Sequence, residues 1–268
     1  MRTLEENVDR VKTARDKLRN ALAGKGLSEE DVNSLNSLVD IIAGVDAIFP
    51  IGFGEEMYYM RDMFAHCDSI SSLTFHEGFG LNVKFAESMF YDCYSLISLT
   101  LPKGFGANIT GAVSMFEFCV SLPSLNFPNG FGANIKSSNG MFASCYSLNS
   151  LIFPDGFGLS ITEATYMFGE CYSLNSLTFP SSFGSSINDA DSMFSYCSAL
   201  TNINGDLALK VSFSLSDCTK LTHQSLMNVL NSIQTVSATK TLTLGSTNLA
   251  KLTDEEKAIA TEKGWTLA

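Results

Sequence analysis

A cysteine returns every 26 residues: Cys67, Cys93, Cys119, Cys145, Cys171 and Cys197. Met-Phe pairs keep the same interval, from Met63-Phe64 through Met89, Met115, Met141 and Met167 to Met193-Phe194. Gly-Phe-Gly starts at Gly52, Gly78, Gly104, Gly130 and Gly156, and returns as Ser-Phe-Gly at Ser182. The unit reads A-x-x-M-F-x-x-C-x-S-L-x-S-L-x-F-P-x-G-F-G-x-x-I-x-x. A fixed period between about 20 and 50 residues denotes a solenoid, a propeller or an array. A unit this short cannot make a four-stranded blade, so stacked solenoid coils are expected.

The 20 phenylalanines fall into the same frame. Six form the column that starts at Phe53 and ends at Phe183, and six run from Phe64 to Phe194. Five more sit at Phe49, Phe75, Phe127, Phe153 and Phe179, with Leu101 in the gap. Such columns predict rings stacked from coil to coil, because one coil alone cannot bury its apolar face. Columns of Leu (Leu73 to Leu177) and of Ile or Val (Val83 to Ile187) would complete the core.

Within a unit, S-L-x-S-L-x-F-P predicts a short strand, with Leu151 and Phe153 inward around Ile152. Pro154 ends it, having no N–H to give. The glycines around Phe157 supply a turn. A-x-x-M-F-x-x-C has apolar residues at i, i+3, i+4 and i+7, which predicts one or two helical turns. Strand, turn and short helix make an α/β, leucine-rich-repeat solenoid with a parallel sheet on one face.

The repeated words "MFASCYSLNSLIFP", "MFGECYSLNSLTFP" and "MFYDCYSLISLTLP" resemble the BspA-like, treponemal-type leucine-rich repeat over residues 48–205. The Gly-Phe-Gly turn makes this unit a few residues longer than that family's. The resemblance implies a right-handed horseshoe or slab, mostly found in bacterial surface proteins and often adhesive. It brings no catalytic residues. It also implies an export signal, whereas MRTLEENVDRVK has mixed charges and no apolar h-region.

Both ends differ from the repeat. Leu4, Val8, Val11, Leu18 and Leu22 share one helical face, Gly24 and Gly26 stop it, and Ser28 opens a second helix carrying Val32, Leu35, Leu38 and Ile42. Residues 1–45 therefore read as a helical hairpin that caps the solenoid, docks it or pairs it with a second copy. Residues 46–205 are the solenoid. Residues 206–268 read as an α/β cap: THQSLMNVLNSI and LTDEEKAIATEKG as helices, KTLTLG and WTLA as strands, with a Thr253–Glu256 capping box, Gly264 as C-cap and Trp265 buried. The first and last segments also resemble stretches of phage and prophage tail-associated proteins of gut bacteria, which would account for an absent signal. The expected location is extracellular, cell-surface or virion-associated, with a cytoplasmic alternative.

Charge excludes some partners. The net charge is −11. Residues 46–205 hold 4 basic and 14 acidic residues, net −10. Nucleic-acid binding needs clustered Lys and Arg, so no nucleic-acid partner is expected. No run approaches the ~18 apolar residues of a membrane span.

The cysteines stack one above the next, without zinc spacing. A buried ladder of small apolar thiols suits a tight corner; disulfides between neighbouring coils and a metal site are the alternatives. His66, His76 and His223 have no nucleophile at a motif spacing, and Gly-Phe-Gly is no phosphate loop. No catalytic, cofactor or metal residue is expected, and the chain reads as no enzyme.

Surface columns are left. Ser72, Ser98, Ser124, Ser150 and Ser176 form one, and Thr74, Thr100, Asn126, Ile152 and Thr178 another. Small hydroxyls either simply suit a solvated parallel sheet or make an uncharged face for protein or carbohydrate on a cell surface or matrix. Tyr91, Tyr94, Tyr146, Tyr172 and Tyr196 are the candidate aromatic edge.

Overall fold

The computed structural model describes residues 47–48, 54–68 and 70–268. The proposed helical hairpin, Phe49 and Phe53 lie outside these residues.

Each coil advances one repeat, and neighbouring coils pair in parallel at a register of 26. β1 (Ala47–Ile48), β2 (Ser72–Thr74) and β3 (Ser98–Thr100) form one three-stranded sheet, with Ser72 opposite Ser98 and Leu73 opposite Leu99. β4 (Ser150–Ile152), β5 (Ser176–Phe183) and β6 (Asn202–Leu207) form a second. The coil between them, Ser124–Asn126, makes only an isolated bridge from Ser124 to Ser150. Pro123 explains the break. Elsewhere this position donates its N–H to the previous coil, as Ile97 does to Ser71 O at 2.8 Å and Asn149 to Pro123 O at 3.0 Å. Proline has no N–H, so the ladder toward Ile97 opens.

A second parallel ladder runs through Tyr59, Phe85, Gly111, Ser137, Glu163 and Asp189. The A-x-x-M-F-x-x-C segments follow it, and they correct the expectation of helix. They are turns. Their backbone bonds leave the coil: Phe64 N donates to Met89 O at 2.8 Å, Phe90 to Met115 and Phe116 to Met141 at 2.9 Å each. Two residues per coil take positive φ, for example Ser88 and Asp92 at 53° and 64°. One such residue suffices to end an α-helix. The apolar spacing is real, but it fits a turn that folds inward at Met and Phe as well as it fits a helix.

The core is built as columns. Rings of Phe64, Phe90, Phe116, Phe142, Phe168 and Phe194 stack at 5.4–5.7 Å between centroids. Phe79 to Phe183 make a second stack at 5.8–6.2 Å. Phe75, Phe127, Phe153 and Phe179 join it within each coil, with Phe153 4.1 Å from Phe157. A buried phenylalanine contributes about 1.5–3 kcal/mol and each ring pair about 0.5–1.5 more. Gly156 and Gly158 turn the chain at φ 84° and 81°. A Cβ on Gly158 would enter the Phe183 ring. Asn82, Asn108 and Asn134 each hand Nδ2 to a carbonyl of the preceding coil at 2.8 Å, a column the sequence reading passed over.

Beyond β6 the chain forms β7 (Phe213–Ser214), α1 (His223–Ser232), β8 (Lys240–Thr243), α2 (Gly245–Leu249), α3 (Asp254–Glu262) and β9 (Trp265–Leu267). β7, β8 and β9 pair in parallel. Both expected helices and both expected strands are present. The Thr253–Glu256 capping box forms. Gly264 follows α3 at φ 88°. Trp265 is buried and its Nε1 donates to Gln234 O at 2.8 Å. One apolar cluster runs unbroken from Met57 to Trp265.

Candidate recognition faces

The strand geometry sends Leu inward and its two neighbours outward. Leu151 is buried, whereas Ile152 is 69% exposed. Thr74, Ser98, Thr100, Ser124, Asn126, Ser150 and Ile152 are exposed, and Ser72, Ser176 and Thr178 are half-buried. Ser71, Ile97, Pro123, Asn149 and Asn175 add a third exposed column, one residue before each serine. The 26-residue period carried that signal too; strict alternation hid it, because this position lies in the bend before the strand. The face has hydroxyls, amides and two bare isoleucines, Ile97 and Ile152.

The five candidate tyrosines come from three columns of the repeat. Tyr94, Tyr146 and Tyr172 follow the cysteine, Tyr196 precedes it, and Tyr91 follows the Met-Phe pair. Tyr146 and Tyr172 meet at 5.3 Å. Tyr91 is half-buried, edge-on to Phe118 at 5.7 Å. Tyr94, Tyr146, Tyr172 and Tyr196 are exposed. Tyr166 belongs with them and was missed, since it sits in a column otherwise made of small or acidic residues; its hydroxyl donates to Glu170 Oε1 at 2.6 Å.

Burial and neighbouring carboxylates shift four of the phenols, Tyr91, Tyr94, Tyr166 and Tyr172, upward. A hydrogen bond to Asp92 is the main cause that pushes Tyr94 up to about 12. Burial and then Glu170 raise Tyr166 and Tyr172. Burial and Glu117 raise Tyr91.

The cysteine column faces inward. The thiols of Cys93, Cys119, Cys145, Cys171 and Cys197 donate to carbonyls of Phe64, Phe90, Phe116, Phe142 and Phe168 at 3.0–3.2 Å. Burial pushes the Cys119, Cys145 and Cys171 thiols up. Among the described residues, no three His, Cys, Asp or Glu side chains gather as for a metal. His66 pairs with Asp92 at 2.9 Å and His223 with Glu256 at 2.8 Å; His76 is exposed.

The profile of the BspA type leucine rich repeat region matches residues 57–159 and 136–257, in 6 copies. The chain belongs to this family. Among solved structures, this BspA-type chain matches a leucine-rich repeat protein of T. pallidum at 16% identity over 84% of this chain and 86% of that one, TM-score 0.47. A leucine-rich cell surface protein of Faecalibacterium prausnitzii matches at 20% identity, TM-score 0.32, over 59% of this chain and 31% of its own. A leucine-rich repeat protein of Bacteroides ovatus matches at 13% identity and TM-score 0.25, over 80% and 76%. No curated protein matches significantly. The likeness of the two ends to phage tail-associated proteins finds no support in these matches. Among the described residues, no helix is long and apolar enough to cross a membrane.

Proposed function

We propose that this BspA-type protein is a non-enzymatic recognition scaffold that holds protein or glycan at a bacterial surface. The observation that carries the reading is the exposed strand face. Seven of the ten hydroxyl-column positions are exposed, above a core of stacked rings that fixes their spacing. A rigid, uncharged face loses little entropy when a ligand settles on it. Ile97 and Ile152, 57% and 69% exposed, supply apolar anchors among the hydroxyls. Residues 46–205 form the recognition body in this reading, with residues 206–268 closing the core and residues 1–45 docking or pairing the chain.

The test is binding of labelled full-length protein to mucin, to mammalian matrix proteins and to intact bacteria. Saturable binding to at least one is expected. Failure to bind all three would sink the reading.

A further inference from the structure

Four columns border the cysteine turn: the residue before each Met-Phe, the residue after it, and the residues either side of the cysteine. Over the six repeats from Asp62 to Ser198 they hold seven aromatic residues, five carboxylates and no Lys or Arg. The basic residues of the solenoid, Arg61, Lys84, Lys103 and Lys136, all stand in other columns. Five of the 14 carboxylates of residues 46–205 thus stand in these columns with no Lys or Arg among them, on a body whose net charge is −10.

The rings there are open. Tyr94, Tyr146, Tyr172 and Tyr196 are 37–56% exposed. Tyr146 and Tyr172 lie 5.3 Å apart and tilted by 39°, so they form a shallow wedge rather than a closed stack. Glu170 lies beside Tyr172 and accepts the Tyr166 hydroxyl at 2.6 Å. The chain uses ring-on-cation contacts elsewhere: the Arg61 guanidinium lies 5.0 Å over Phe85 and Lys84 Nζ lies 5.6 Å from the Tyr58 ring. Among the described residues of these columns there are rings, carboxylates and His66, paired with Asp92 at 2.9 Å, but no Lys or Arg.

We infer that this edge docks an extended, Arg- or Lys-bearing polypeptide, whose cationic side chains lie on the faces of Tyr146 and Tyr172 beside Glu170. A guanidinium or ammonium is drawn to a tyrosine face by the ring quadrupole, and a neighbouring carboxylate adds to that attraction. Tyr94 and Tyr196, also exposed, offer further rings in other coils. The negative potential of the body would also speed encounter with a cationic partner and repel sulfated or sialylated glycans. The inference concerns columns separate from the strand face, and its failure leaves the strand-face reading untouched.

The experiment titrates full-length protein against a labelled peptide of alternating arginine and glycine, its glutamate counterpart, and a neutral gluco-oligosaccharide. The arginine peptide is expected to bind alone, and to weaken steadily as salt rises. Tyr172→Ala and Tyr146→Ala should each weaken it about three- to fivefold. Tyr172→Phe should retain it, because the ring face and not the hydroxyl makes the contact. Glu170→Gln should weaken it at low salt and match the parent at high salt. Both tyrosines are exposed, so unchanged thermal midpoints will show that the fold is intact. Equal binding of the glutamate peptide, binding of the oligosaccharide in place of the arginine peptide, or an unchanged affinity in both alanine variants would overturn the inference.

Discussion

The thiol of Cys145 donates to the carbonyl of Phe116 in the preceding coil, 3.0 Å away. The same carbonyl accepts the Cys119 N–H at 3.1 Å, so both of its lone pairs are used. The next two coils repeat the arrangement at Phe142 and Phe168. The column of cysteines is therefore a hydrogen-bond ladder that binds each coil to its neighbour. Cys145→Ala removes one rung and leaves a small void, and should lower stability by about 1–2 kcal/mol. Urea unfolding followed by circular dichroism would measure it.

The same geometry predicts thiol chemistry. Cys119, Cys145 and Cys171 are buried and their thiols are shifted upward. The thiolate is the reactive form. At pH 8 a water-soluble disulfide reagent should leave these three unmodified in the folded chain and modify them in denaturant. Mass spectrometry of labelled peptides reads this directly; rapid native labelling of Cys145 would contradict the ladder.

Gly158 carries a left-handed φ of 81° and lies against the Phe183 ring. Gly158→Ala should destabilise the protein by about 2–5 kcal/mol, the sum of a backbone penalty and overpacking. Gly156 has the same φ but only ordinary contact with Ala133 at its Cβ position, 3.7 Å away. Gly156→Ala should therefore cost only the backbone part, about 1–2 kcal/mol. Comparing the two urea midpoints separates packing from backbone.

The period made the stacked coils, the inward Leu and Phe columns and the outward Ser and Thr columns legible from the chain alone. The Thr253 capping box was legible for a different reason, since it depends on local chemistry, and Trp265 because a large apolar ring in a closing strand is buried. The turns around Met-Phe were not. An i, i+3, i+4 pattern also describes a chain that bends inward twice, and only the coil-to-coil bonds of Phe64, Phe90 and Phe116 decide between them. The tyrosine edge was half legible. Residues such as Tyr94 and Tyr196 fall in different columns, and the period alone does not say which of those columns the folded turn leaves exposed.

Glu256 caps α3 and also meets His223 at 2.8 Å. Its pKa is lowered, first by the Thr253 backbone N–H and then by His223. A carboxylate with a depressed folded pKa stabilises above its unfolded value, about 4.3, and loses that contribution as pH falls through the folded one. Glu256→Gln should therefore narrow the stability gap to the parent below about pH 4, leaving a larger gap near neutrality. Thermal midpoints across pH 2–7 would show the convergence, and parallel curves would contradict it.

The most direct test of the recognition account is the affinity of a strand-face variant for whichever of mucin, matrix protein or bacterial surface binds the parent. Ser150→Arg with Ile152→Arg places two long cations on the exposed face between the flanking strands, with Leu151 left in the core. The account predicts an unchanged thermal midpoint and at least a tenfold loss of affinity, about 1.4 kcal/mol. Undiminished binding by a folded double variant would contradict it.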